Sequence, residues 1–252
     1  MATGTPSRLH IWHAAASDDA PGRLETHCES LLDSEELAAA DRFRVATARN
    51  QHVVGRGMVR WLLGGASVPP QRIRFGCGDH GKPFVVEPAA ARQPFNIAHT
   101  DGLVLCGIAD NETLELVGVD VEPMNRRTTT DLAERYFSPP EVAALRAQPN
   151  HEQKRFFLRI WTLKESFIKA LGTGLSTPLA DFAFHDIESD SPSIEFLAPE
   201  LDDGRDWRFF CFEPRLGFLG AAAVRPASGI EAVLDCRPFE PFFGEEDADA
   251  KG

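Results

Sequence analysis

Two carboxylates stand two residues apart in Gly118-Val-Asp-Val-Glu122. In a strand, Val119 and Val121 face one side while Asp120 and Glu122 face the other. Residues so spaced lie roughly 6.5–7 Å apart along the backbone, so both carboxylates can reach one small cation. Mg²⁺ suits such a pair, because it takes a few carboxylates, keeps waters and binds substrate phosphate oxygens. The bland alternative is a half-buried strand with a solvated acidic face, since acidic residues are depleted in strands but not absent.

A second segment with chemistry is Trp161-Thr-Leu-Lys-Glu-Ser-Phe-Ile-Lys-Ala-Leu-Gly172. From Arg155 to Leu171 the apolar residues leave few faces free, the pattern of a largely buried helix, and Gly172 is placed to cap its C-terminus. Lys164, Glu165 and Lys169 then need explaining, because unpaired buried charge is costly. Glu165 and Lys169, four apart, can form an ordinary helix ion pair. Alternatively Glu165 serves a metal and the lysines serve phosphate oxygens, the reading favoured by Asp120 and Glu122. Phe95-Asn-Ile-Ala-His99 places His99 at a sheet edge, either as a hydrogen-bonded surface residue or as a ligand contact. His99 with Asp120 and Glu122 could also form a zinc set, though nothing in the spacing demands it. Ser138-Pro-Pro-Glu141 fits a capping box, so Glu141 either holds a helix start or is free for proton transfer. Gly76-Cys-Gly-Asp-His-Gly81 matches a dinucleotide fingerprint only superficially. Lys82–Glu87 reads as strand where that fold needs a helix, so a tight turn is expected.

The elements that must position these residues occur in one order twice. A strand at Arg8–His13 precedes a helical region from about Leu24 to Leu63, with Val54, Met58, Trp61 and Leu62 on one face. Strands follow at Ile73–Gly76, Pro83–Glu87 and Phe95–His99. Thr100-Asp101-Gly102 then turns the chain into Leu103–Ala109. The second half runs strand Leu114–Glu122, helices between Asp131 and Leu171, then strands at Phe182–Ile187, Ile194–Leu197, Trp207–Phe212 and Phe218–Val224. This predicts an α+β molecule of two similar lobes with pseudo-twofold symmetry, residues 1–112 and 113–243, with ligands in the cleft between them. Residues 244–252 form an acidic tail expected to be disordered.

Composition narrows the partners. The 252 residues carry a net charge of −12, with 43% hydrophobic and 25% charged residues, values of a globular protein. So negative a field disfavours nonspecific nucleic-acid and membrane binding, and an anionic substrate needs a local cationic pocket. Lysines are scarce, and Lys82, Lys164 and Lys169 all fall in the segments above. No apolar run reaches bilayer length, and residues 1–8 lack the pattern of a signal peptide. The scattered cysteines Cys28, Cys77, Cys106, Cys211 and Cys236 suit a reducing compartment, so a cytoplasmic location is expected.

In order, Gly81-Lys82-Pro83, Phe95–His99, Gly118–Glu122 and Trp161–Gly172 resemble the motifs of the Sfp-type 4′-phosphopantetheinyl transferases. The likeness runs from about Arg42 to Leu179, and its last two motifs are specific as a pair. It implies a two-lobed α+β fold and transfer of 4′-phosphopantetheine from coenzyme A to a carrier-protein serine, releasing 3′,5′-ADP. The resemblance further implies Asp120, Glu122 and Glu165 as Mg²⁺ ligands at the pyrophosphate of coenzyme A, with Lys164 and Lys169 neutralising it. Gly81, Lys82 and Pro83 would lie along the adenine, while His99 and Arg49 would approach the 3′-phosphate. Glu165 or Glu141 would take the serine proton, with Lys169 assisting. The partners implied are acyl or peptidyl carriers of fatty-acid, polyketide or nonribosomal peptide synthesis, and length suggests a monomer. Ala98 departs from the usual serine, and Glu36 and Ala39 stand where some relatives carry lysines. Two other readings are a different Mg²⁺-dependent phosphoryl or nucleotidyl transferase and a carrier-binding protein without activity.

Overall fold

The computed structural model describes residues 6–65, 67–110, 113–127 and 130–241. The acidic tail expected at 244–252 lies outside them. In the first half, β1 (Ser7–Ala14) leads to α1 (Arg23–Glu29), α2 (Ser34–Ala40) and α3 (Ala46–Gly64). The hairpin β2 (Arg74–Cys77) and β3 (Pro83–Glu87) follows, then β4 (Phe95–Thr100) and β5 (Leu103–Ala109). The second half runs β6 (Leu114–Pro123), α4 (Ala133–Tyr136), α5 (Pro139–Ala147), α6 (Asn150–Leu171), hairpin β7 (Phe182–His185) and β8 (Ser193–Phe196), then β9 (Arg208–Phe212), β10 (Phe218–Pro226) and β11 (Ala232–Pro238).

The repeat is visible in the sheets. One sheet contains β1-β5-β4 and the other β6-β10-β9, the same order and antiparallel sense built from corresponding strands. A long helix, α3 or α6, contributes the main apolar stripe to each lobe's core. A third core, including Leu9, Ile11, Leu105, Val117, Val119 and Val121, lies between the sheets. They approach closely at Gly107, where a Cβ would come within 2.6 Å of Val119 Cγ1. Any side chain there would force the sheets apart.

One strand escaped the sequence reading. β11 returns to the first lobe and pairs in parallel with β1. The division at 112/113 therefore needs correcting, because residues 232–238 extend the first lobe's sheet. Its burial pattern is only partly apolar, so period alone gave it little signal.

Helix ends follow the local chemistry. Asp33 accepts from the amides of Glu35 and Glu36, while Glu36 returns a carboxylate to the Asp33 amide. Gly172, at φ 75°, closes α6 in the left-handed conformation expected of it. Among the described residues no helix is long and apolar enough to cross a membrane.

Candidate functional site at the seam between the lobes

The site begins with a contact between backbones. A Cβ on Gly118 would lie 2.0 Å from the Ser166 carbonyl oxygen and 2.4 Å from the Ala170 nitrogen. Glycine in β6 and small residues in α6 thus let helix and strand touch. That contact carries Glu165 and Lys169 alongside Asp120 and Glu122. Lys169 Nζ donates to Asp120 Oδ1 at 2.6 Å, and Arg126 pairs with Glu122 Oε1. Asp120 is 6% exposed, and its Oδ2 is buried with no hydrogen-bond partner among the described residues.

Electrostatics shows the carboxylates acting on one another. Burial raises the pKa of Asp120, with Lys169 opposing. Burial and then Asp120 push Glu122 up to about 7 and raise Glu165. Hard oxygen donors that repel one another, one with an orphaned buried oxygen, suit a small divalent cation. Among the described residues no three acidic, histidine or cysteine side chains converge as a finished metal cage. Lys169 and Arg126 instead supply countercharge on the oxygens that such a cage would use.

The first lobe contributes β4. Asn96 Oδ1 accepts from the Val119 amide at 2.9 Å in a buried position, joining β4 to β6 where no strand ladder does. The sequence reading overlooked Asn96, although an asparagine in an otherwise apolar strand is itself a signal. His99 lies at the exposed end of β4. Its pKa is lowered by burial and by Lys169, with Asp120 opposing, so it sits within the field of the acidic cluster. A cavity of about 990 Å³ brings His99 together with Gln51, Glu122, Arg126 and Phe218.

A second cavity, about 670 Å³, is lined by Lys82, Pro83, Phe84, Val117 and Gly172. Gly81, at φ 82°, closes the β2–β3 turn, with Gly81 N donating to Gly78 O and Gly78 N to Lys82 O. The fingerprint-like glycines therefore form the expected turn. Lys82 Nζ donates to Val117 O at 2.9 Å and Ala170 O at 2.7 Å. Burial pushes its pKa down to about 8. Its ammonium bolts the hairpin to β6 and α6, while its stem lies against Gly172.

Lys164 and Glu141 require correction. Both side chains are 0% exposed and pair at 2.8 Å. Lys164 also donates to Leu179 O and Phe182 O and stands 4.2 Å over the Phe182 ring. Glu141 accepts from Ser138 N, Ser138 Oγ and Phe184 N. Neither has an open side for coenzyme A or a serine hydroxyl. The helix pattern explains Lys164: its position falls on the apolar face, turned away from Glu165. Arg49 is likewise engaged, with Glu29 at 2.6 Å and Asp41 at 3.1 Å. Glu36 holds Arg56 and the fully buried Arg60, so its carboxylate serves a structural network. Arg126 was missed altogether, because its role depends on the turn after β6.

Carboxylates flanked by cations, between two repeats of one α+β unit, are a donor set that suits a divalent cation beside an anion. The family model of the 4′-phosphopantetheinyl transferase superfamily matches residues 116–220. The chain is 35% identical over 173 residues to 4′-phosphopantetheinyl transferase HetI of Nostoc sp., covering 67% of this chain and 70% of that relative. It is 31% identical over 183 residues to a 4′-phosphopantetheinyl transferase of Bacillus subtilis, covering 72% and 76%. For 4′-phosphopantetheinyl transferase Sfp of Bacillus subtilis (strain 168), identity is 30% over 167 residues, with 66% and 71% covered. A holo-(acyl-carrier-protein) synthase from Bacillus anthracis, solved in complex with CoA (3′,5′-ADP), matches 46% of this chain and 98% of its own. That match has 18% identity and a TM-score of 0.39. The chain belongs to the 4′-phosphopantetheinyl transferase superfamily, and the transferase class and α+β fold expected from its motifs hold.

Proposed function

We propose that this protein transfers the 4′-phosphopantetheine arm of coenzyme A to a serine hydroxyl of an acyl or peptidyl carrier protein, with Mg²⁺. The observation carrying the reading is Lys169 held on Asp120, with Glu122 and Glu165 in the same electrostatic field, beside a cavity that His99 and Glu122 share. Asp120, Glu122 and Glu165 would hold Mg²⁺, which would supply charge neutralisation at the pyrophosphate.

The chain's own residues then divide the work. Lys169, 30% exposed at its side chain, keeps a face for phosphate oxygens while anchoring Asp120. The carrier serine Oγ forms the new bond to the β-phosphorus as the bond to the 3′,5′-ADP oxygen breaks. Glu165 would accept the hydroxyl proton, directly or through water. Glu141 is withdrawn from that role by its buried bonds. With Arg49 engaged, the 3′-phosphate contact rests on His99. Lys82 and Pro83 line the second cavity, where the adenine would lie, and Gly81 sets the turn that presents them. Lys164 supports this arrangement from within the second lobe.

We read the protein as a monomer of two lobes, the first completed by residues 232–238, acting in the cytoplasm on carriers rather than nucleic acid or membranes. The net charge of −12 and the free cysteines support this. The test is intact-mass analysis of apo-carrier proteins incubated with coenzyme A and Mg²⁺, with Asp120→Ala alongside. A gain of one phosphopantetheine, abolished by EDTA and by the variant, is expected. No gain on any carrier, with coenzyme A still bound, would replace the enzyme by a carrier-binding protein.

A further inference from the structure

Arg126 has a position that the proposed chemistry has not used. It leaves the end of β6 in a turn in which its own amide donates to Pro123 O at 2.9 Å. Its guanidinium pairs with Glu122 and lies 5.4 Å from the centre of the Trp161 ring. Trp161 is held edge-on by Tyr136 at 5.7 Å and stacked on Phe157 at 6.0 Å. The ring is therefore a fixed platform, and a guanidinium on it keeps its place when an ion-pair partner changes. Arg126 remains 35% exposed at its side chain, whereas Glu122 is 12% exposed. The exposed side of the pair is the guanidinium, and it faces the cavity of about 990 Å³ that also holds His99.

We propose that Arg126 is an exchangeable clamp, neutralising Glu122 until Mg²⁺ takes that carboxylate, then binding the pyrophosphate of coenzyme A from Trp161. The inference rests on the phosphopantetheinyl transfer reading. A divalent ion and a guanidinium on one carboxylate oxygen repel each other, so the arrival of either displaces the other. The turn and Trp161 keep the displaced group at the same edge. There a planar fork matches two phosphate oxygens, a geometry that an ammonium such as Lys169 lacks. A carboxylate of the docked carrier is the other conceivable partner. The neighbouring Arg127, exposed to solvent, is better placed for it, whereas Arg126 is set back beside Glu122.

The test combines binding and turnover in Arg126→Ala and Arg126→Lys. Mg²⁺ alone is titrated against thermal unfolding, and coenzyme A and dephospho-coenzyme A are titrated calorimetrically at saturating Mg²⁺. In Arg126→Ala the Mg²⁺ midpoint should fall about threefold or more, because a competing charge is gone. Affinity for both coenzyme A forms should weaken together by about tenfold or more, the loss of a charged hydrogen-bonding partner. Arg126→Lys should restore the Mg²⁺ midpoint but not the coenzyme affinity. An unchanged or raised Mg²⁺ midpoint in Arg126→Ala would overturn the proposal. So would unchanged coenzyme binding with a higher KM for the carrier, which would assign Arg126 to the carrier. If the wild type transfers no pantetheine arm yet both binding shifts appear, the reaction reading fails and the clamp stands.

Discussion

Replacing Glu141 with Gln separates a structural carboxylate from a catalytic one. The glutamine keeps the shape but sets an amide group among four donors: Ser138 N, Ser138 Oγ, Lys164 Nζ and Phe184 N. Whichever way it is flipped, its NH₂ confronts at least one of them. Lys164, fully buried, also loses its counter-ion. Breaking a buried pair from one side costs about 3–5 kcal/mol. For a chain of this size each kcal/mol lowers Tm by about 2–4 °C, so a drop of about 6–20 °C is expected. The assay is thermal and urea unfolding, paired with single-turnover transfer well below the variant's Tm. The expected result is a large stability loss with the chemical step within about tenfold of wild type. A companion variant, Glu141→Gln with Lys164→Met, removes the stranded charge and should recover part of the loss. If Glu141→Gln unfolds like wild type while the chemical step falls by about a hundredfold or more, the assignment is wrong and Glu141 is the base.

Three further outcomes follow from the same geometry. Gly118→Ala forces β6 from α6, since the new methyl would lie 2.0 Å from the Ser166 carbonyl oxygen; a loss of about 1–3 kcal/mol or more and weaker Mg²⁺-induced stabilisation are expected, and a variant with wild-type values in both measurements would refute the contact. Glu122, raised to about 7 from 4.5, is protonated in the fold below pH 7, so its contribution to stability is present below about pH 4.5 and lost as pH rises through about 7. Mg²⁺ must displace that proton at low pH, so its apparent affinity should fall by about tenfold per unit below pH 7 and level off above it; a flat profile in Mg²⁺-dependent thermal shifts would contradict this. Lys82→Met keeps the stem but leaves Val117 O and Ala170 O without their donor; a loss of about 1–3 kcal/mol in urea unfolding is expected, with little change in Mg²⁺ midpoint, and undiminished stability would refute the bolt.

Legibility in the sequence followed the range of each interaction. The strand at Asp120 and the helix at Glu165 announce themselves through period, because alternation and the 3.6-residue repeat are local properties. The order of elements disclosed the repeat for the same reason. Local pattern does not say which lysine meets which carboxylate. Lys164 and Lys169 look equivalent in the motif, yet one lies inside against Glu141 and the other reaches Asp120. Five residues along a helix turn a side chain through more than a full circle, so the neighbouring core decides. Asn96 left a trace as a polar residue in an apolar strand, but its partner Val119 lies across a long-range seam. Arg126 was illegible because its place beside Glu122 and Trp161 depends on the turn after β6. Arg49 was misleading because surface carboxylates from α1 and the end of α2 claim it.

The return of β11 to β1 makes the order of synthesis matter. Made long before its partner, β1 exposes one edge until some two hundred further residues have been added. An open strand edge is a template for pairing with other chains, so the first lobe is vulnerable while the second is being built. A gene split between β5 and β6 would yield one fragment with that edge bare and another carrying the strand that should cover it. Such halves would have to reunite to finish either piece. The two lobes are thus tied by a strand that one half supplies to the other.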